Sequence, residues 1–188
     1  MELSGLILMG GRNSRMNGQK KAFLTYGEMP FYQRIANQLP VDGTIYLSVE
    51  NKANYEALPY PLIEDLYEGI GPISGIYSTL MTCQTKALLT TPCDTPNVSR
   101  ELFHELIAIW RMEQKPVLLS EGERLNPLIG IYTKDCMKAL HSMIQKGDYK
   151  MSHLLDHYTC KVVSLSSLGL DQKQVFNVNT PDEYSMLP

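Results

Sequence analysis

The chain has 188 residues, 44% of them apolar, and a formal net charge of −3. That size supports one domain with its own core, and the composition excludes collagen, a coiled coil, a disordered tail and a disulfide-dense scaffold. There is no apolar run of about 18 residues for a membrane helix and no basic field for a nucleic acid, so neither partner is expected. With no secretory signal visible, Cys83, Cys93, Cys136 and Cys160 are expected as reduced thiols of a cytoplasmic protein. Their spacing matches neither a zinc knuckle nor a CxxC redox pair.

In chain order, short apolar or β-branched runs predict buried strands at 3–9, 44–49, 61–63, 87–91, 116–119, 127–132 and 160–165. Between them lie helical segments. Pro30 opens one that runs to about Leu39, and Pro72 opens another to about Thr82; proline is tolerated in the first turn, where its missing N–H has no intrahelical partner. Ser99 is a candidate cap for a helix with Leu102, Phe103, Leu106, Ile107 and Trp110 on one face. Residues 134–144 read as helix, closed by Gly147. Thr180 and Pro181, followed by Asp182 and Glu183, read as a last helix start. Alternating strands and helices predict an α/β fold with a mostly parallel sheet. Ligands of such sheets sit outside the carboxyl ends of the strands, so the loops there are where chemistry is sought.

The first such loop is Leu8-Met9-Gly10-Gly11, followed by Arg12, Arg15, Lys20 and Lys21. Glycines after a buried strand let main-chain N–H groups approach an anion, and the basic side chains add charge. Polyphosphate needs both. The alternative is a solvated basic loop around a tight turn. Neither GxGxxG nor GxxxxGK[ST] is present, so dinucleotide and P-loop readings fail.

This loop resembles the signature of the MobA-like nucleotidyltransferases. The resemblance rests on Leu8, Gly10, Gly11, Arg15, Met16 and Lys21, with Leu24 and Gly27 beyond. Met9 stands where the family usually has Ala, and Ser14 directly precedes Arg15, where the family has one residue between. The resemblance implies that the loop wraps a triphosphate, with Leu8, Met9, Gly10 and Gly11 against the nucleotide and Arg15 and Lys21 on phosphate. The offset from Met16 favours Lys21, with its neighbour Lys20 as the alternative phosphate ligand. The implied fold is a Rossmann-like three-layer sandwich of the nucleotide-diphospho-sugar transferase type.

Further along, Asp65 precedes Gly69-Ile70-Gly71-Pro72-Ile73-Ser74-Gly75. Taken alone this is a Gly-rich loop running into a Pro-initiated helix; with the resemblance it is the second motif, in which Asp65 and Asn51 would hold the nucleoside. Cys93-Asp94-Thr95-Pro96 follows the strand at 87–91. A lone Asp at a strand end is ordinarily a turn residue. The family motif instead gives Asp94 the role of Mg²⁺ ligand, consistent with a hard cation held by one carboxylate plus substrate phosphates. Cys93 reads as a small core residue. Near the end, Asn177-Val178-Asn179-Thr180-Pro181 matches the closing motif. Amides two apart on extended chain share a side; with the resemblance, Asn177 and Asn179 could hydrogen-bond the acceptor or its phosphate, and a cap for the last helix is the alternative. His153 and His157 are four apart but lack a third ligand, and read as surface residues.

Together the motifs imply one domain, with a nucleotide-binding half (1–100) and an acceptor-binding half (101–188). They imply catalytic roles for Arg15, Lys21 and Asp94 in transfer of GMP from GTP to the phosphate of molybdenum-bearing molybdopterin. Cytidylyl relatives carry aspartates in the closing motif and Ala-Ala-Gly in the first loop, so the asparagines and Gly10-Gly11 favour guanylyl. Proteins of molybdenum insertion and molybdoenzyme maturation are implied partners. Alternatives are a cytidylyl or sugar-phosphate nucleotidyltransferase of the same fold, or a non-catalytic nucleotide-binding adaptor.

Overall fold

The computed structural model describes residues 1–10, 20–55 and 58–187. Gly11, Ser14, Arg15 and Met16 therefore lie outside the described residues. The order of elements is β1 (Leu3–Leu8), β2 (Thr25–Tyr26), β3 (Met29–Pro30), α1 (Phe31–Ala36), β4 (Ile45–Val49), β5 (Leu62–Glu64), α2 (Pro72–Thr82) and β6 (Ala87–Pro92). Then come α3 (Arg100–Glu113), β7 (Val117–Glu121), β8 (Arg124–Thr133), α4 (Met137–Gln145), α5 (Leu154–His157), β9 (Lys161–Ser164) and α6 (Pro181–Ser185). Among the described residues no helix is long and apolar enough to cross a membrane.

Seven strands form one sheet in the order β5-β4-β1-β6-β8-β7-β9. Only β8 runs against the rest. The central strands carry no charged residue because both faces are covered: all residues of β1 and of β6, Ser4, Thr90 and Thr91 included, are buried. Side chains alternate between faces. Ile7, Leu47, Leu89, Leu119 and Ile131 pack with Tyr32 and Ile35 of α1 and Leu102, Phe103, Leu106 and Trp110 of α3. Leu6, Leu8, Leu88, Leu118 and Tyr132 pack the other way, with Ile73, Ile76 and Leu80 of α2 and Leu140, Met143 and Ile144 of α4. This is the expected three-layer sandwich. Ser99 caps α3 as predicted, its Oγ accepting from the Leu102 N–H at 3.1 Å.

Two features of the topology position the site. The chain builds outward from β1 to β4 and β5, then returns to the other side of β1 as β6. The reversal of strand order lies between β1 and β6, where open α/β sheets bind ligands. The Cys93 N–H donates to the Leu8 carbonyl at 3.0 Å, holding those two strand ends level. The reversed β8 then brings its beginning, not its end, to the same edge: the Thr90 hydroxyl donates to the Leu128 carbonyl at 2.9 Å. This strand starts at Arg124, ahead of the proline expected to open it. Pro127 cannot donate to the ladder, and the β7–β8 register shifts between Leu118 and Leu119 beside it. The β2–β3 hairpin was not foreseen. It turns at Gly27, whose φ of 64° suits glycine, and its strands have only two residues each.

Candidate active site

Outside the ends of β1 and β6 lies a cavity of about 150 Å³. Its walls include Leu8, Met9, Gly10, Lys21, Cys93 and Asp94. Five of the expected nucleotide-site residues thus meet there. Lys21 opens a short 3-10 turn anchored by the buried Ala22. Its ammonium donates to Asp94 Oδ2 at 3.2 Å and to Asn179 Oδ1 at 2.5 Å. Extended backbone at Lys20 sends the neighbouring side chain to the opposite side: the Lys20 ammonium lies over the Tyr55 ring, 3.6 Å from its centroid, and bonds the Asn54 carbonyl. The geometry thus separates two adjacent lysines that composition cannot.

Burial pushes the Asp94 carboxyl above the usual carboxylate range, and the Lys21 ammonium opposes that rise. The side chain is 20% exposed. Among the described residues no group of three or more His, Cys, Asp and Glu is placed to hold a metal. A half-buried single carboxylate facing a cavity beside one ammonium fits a hard cation whose other ligands are substrate oxygens and water; it does not fit an all-protein cage. Cys93 is buried and its thiol is pushed far up by burial, which keeps it protonated and in the core, as expected.

Asp65 sits two strands over from β1, after β5. Its main-chain N–H donates to the Val49 carbonyl at 3.0 Å, and its Oδ1 accepts from the Ser48 hydroxyl at 2.9 Å. Burial, with the charge of Glu50, pushes its carboxyl up to about 6 against the opposing Ser48 bond. Gly75 on α2 makes this possible, because a Cβ there would lie 2.1 Å from Ser48 Oγ. Ser74 and Ser78 hold the following loop, accepting from the N–H groups of Tyr67 and Leu66 at 3.0 and 2.9 Å. Asn51 is elsewhere engaged: it is exposed, and its Oδ1 caps a 3-10 turn by accepting from the Ala53 N–H at 2.8 Å.

Sharing Pro72, Asn126, Leu128 and Asn177 with the first cavity is a second one of about 740 Å³. Asn177 Oδ1 is buried there and meets no hydrogen-bond donor among the described residues. Arg124, Lys150 and Lys173 line this cleft, and among the described residues none forms an ion pair. Of its carboxylates, Glu121 accepts from the Asn126 side-chain amide at 2.9 Å. Glu183 accepts from the N–H groups of Asn179 and Thr180 at 2.6 and 2.9 Å, completing the capping box of α6. The cap alternative for the closing motif is therefore real at Thr180, while Asn179 turns to Lys21. Sequence reasoning did not find the three cations, since they come from separate segments with no shared spacing. His153 lies away from the cleft's chemistry, with Nδ1 2.9 Å from Asp148 Oδ1, and His157 Nε2 is 3.9 Å from the same carboxylate.

Residues 5–162 match the family model of the MobA-like NTP transferase domain. A probable molybdenum cofactor guanylyltransferase of Flavobacterium johnsoniae is 33% identical over 186 residues, 98% of this chain and 96% of that protein. The molybdenum cofactor guanylyltransferase of Polynucleobacter asymbioticus is 31% identical and is covered to 95%, with 98% of this chain. Among solved structures, molybdopterin-guanine dinucleotide biosynthesis protein A from Archaeoglobus fulgidus matches with a TM-score of 0.80 at 20% identity, over 97% of this chain and 95% of that one. The 2-C-methyl-D-erythritol 4-phosphate cytidylyltransferase of Thermus thermophilus matches with a TM-score of 0.74 at 15% identity, over 100% and 97%. The fold is that of these nucleotidyltransferases.

Proposed function

The chain belongs to the MobA-like NTP transferase family, and on that premise we propose that it transfers GMP from GTP to the phosphate of molybdenum-bearing molybdopterin. The observation that carries this reading is Lys21 held against Asp94 at the reversal of strand order. The names of its full-length relatives supply the base and the acceptor.

In this reading residues 1–100 bind the nucleotide and 101–188 the acceptor. Leu8, Met9, Gly10 and Gly11 present main-chain groups to the nucleotide, Arg15 and Lys21 hold its phosphates, and Asp65 takes the nucleoside. Asn51 assists there only if it leaves its present cap. Asn177 offers to the acceptor a buried amide oxygen that meets no donor among the described residues. The cations of the large cleft, which form no ion pair among the described residues, suit an anionic acceptor, and Tyr149 and Phe176 on its walls suit a planar ring. The protein works in the cytoplasm on GTP and the molybdopterin acceptor.

The chemistry needs charge control more than proton transfer. A phosphate monoester has a second pKa near ~6, so the acceptor oxygen is already a nucleophile at neutral pH. It attacks the α-phosphorus, the bond from that phosphorus to the bridging oxygen breaks, and pyrophosphate leaves. Lys21 and the loop N–H groups stabilise charge on the leaving pyrophosphate, where positioning and neutralisation do most of the work. Asp94 would hold Mg²⁺, which when bound supplies positive charge to the donor phosphates.

The test is turnover with GTP and CTP, each against molybdopterin and a sugar phosphate. GTP with molybdopterin should release pyrophosphate only when both are supplied. Equal rates with CTP, or turnover on the sugar phosphate alone, would replace this reading with another nucleotidyltransferase. Binding of GTP without turnover on either acceptor would make it an adaptor.

A further inference from the structure

We propose that Asn179 is a positioning residue for Lys21, setting the donor-side ammonium, rather than a contact to the acceptor. This rests on the reading of Lys21 as a phosphate ligand.

The segment bearing Asn179 is fixed at both ends. Before it, the N–H of the fully buried Val178 donates to the Asp94 carbonyl at 2.7 Å. After it, Glu183 Oε2 accepts from the main-chain N–H groups of Asn179 and Thr180 at 2.6 and 2.9 Å. The backbone of Asn179 is thus tied to the loop of Asp94 and to the cap of α6. Its side chain has one described partner: Oδ1 accepts from Lys21 Nζ at 2.5 Å, across 158 positions of sequence.

The choice of an amide follows from the charges around it. Lys21 already faces the Asp94 carboxylate, and the Glu183 carboxylate is close enough to raise the Asp94 carboxyl further. A third carboxylate would hold the lysine firmly and repel incoming phosphates. An amide oxygen orients an ammonium without adding charge, leaving Lys21 free to turn to a phosphate. Asn179 also lines the large cleft. It is therefore placed to connect the acceptor side to the lysine of the donor side.

A double-mutant cycle on GTP affinity tests this, measured calorimetrically with MgCl₂ and without acceptor. Asn179→Ala keeps the main-chain donors that Glu183 uses, so the cap survives. A lost bond to a charged group should weaken GTP binding about tenfold in the native chain. In a Lys21→Met background the same substitution should change affinity less than about twofold, because the residue it acts through is gone. Asn179→Gln, which displaces the amide by one methylene without opening a cavity, should show the same pattern. Equal weakening in both backgrounds would overturn the proposal, as would unchanged GTP affinity with a raised KM for the acceptor. If Lys21→Met alone left GTP affinity intact, the phosphate role of Lys21 would fall, and this inference with it.

Discussion

The ammonium of Lys21 lies 3.2 Å from Asp94 Oδ2, although the two residues are 73 positions apart. The contact brings the strand-end loop of β1 to the strand-end loop of β6 and places one cation beside one half-buried carboxylate. Replacing Lys21 with Ala should lower turnover by about three orders of magnitude, the scale of losing a key group that stabilises transition-state charge. The fold should persist, since the turn is anchored by Ala22 rather than by the ammonium. Burial already raises the Asp94 carboxyl and Lys21 opposes it. Without Lys21 the folded-state value rises further above the unfolded one, so the variant loses stability as pH rises. Melting temperatures of native and variant chains should nearly coincide in acid and separate above the carboxylate range. Near-normal turnover would end the assigned role.

Asp65 gives a second pH signature. Its carboxyl is pushed from the ordinary 3.8 up to about 6 by burial. The folded state therefore binds a proton more tightly than the unfolded chain, and this group subtracts stability as pH rises from about 4 to about 6. Asp65→Asn stays neutral throughout and removes that contribution. The melting temperature of the variant relative to the native chain should climb across that window and level off above it. A difference independent of pH would mean that the carboxylate is already ionised at the bottom of the window.

Much of this fold was legible because buried parallel strands are short apolar runs. Each of the seven strands of the main sheet overlaps one of the runs read, from 3–9 to 160–165, although β8 begins ahead of its run. Direction was not legible, since an apolar run reads the same both ways; yet the reversal of β8 is what brings Asn126 and Leu128 to the site. The β2–β3 strands are too short to carry a period. At the site, Lys21, Asp94, Asp65 and the closing asparagines were visible as motifs. Their division of labour was not: Asn51 caps its own turn, Asn179 reaches Lys21, and Asn177 keeps an oxygen that meets no donor among the described residues. Such choices depend on neighbours distant in sequence, as with Ser48 beneath Asp65.

The large cleft predicts a separation of kinetic effects. Arg124, Lys150 and Lys173 line it, outside the smaller cavity at Lys21 and Asp94. Reversing Lys150 and Lys173 to Glu should raise the acceptor KM at least tenfold and invert its salt dependence, so that added salt lowers it where it raises that of the native chain, while GTP affinity changes little. Loss of GTP affinity with an unchanged acceptor KM would assign the cleft to the nucleotide instead. The same pair of measurements on Arg124→Ala shows whether the start of β8 shares the task.

Gly75 tests whether Asp65 is positioned by packing. A Cβ at this position would stand 2.1 Å from Ser48 Oγ and 3.2 Å from Asp65 Oδ1. Alanine is otherwise a better helix former than glycine by about 1 kcal/mol. The substitution therefore sets a local gain against a steric clash. Neither Ser48 nor α2 can yield cheaply, since Ser48 lies in the buried part of β4 and Ile76 beside Gly75 is fully buried. Overpacking of this kind costs roughly 1–3 kcal/mol. Gly75→Ala should thus lower the melting temperature and weaken GTP binding together, because moving Ser48 removes the hydroxyl that orients Asp65. Ser48→Ala on the native glycine should weaken GTP binding with a smaller loss of stability. If Gly75→Ala were as stable as the native chain and bound GTP equally well, the helix would have room to shift, and the close approach of α2 would have no part in holding the carboxylate.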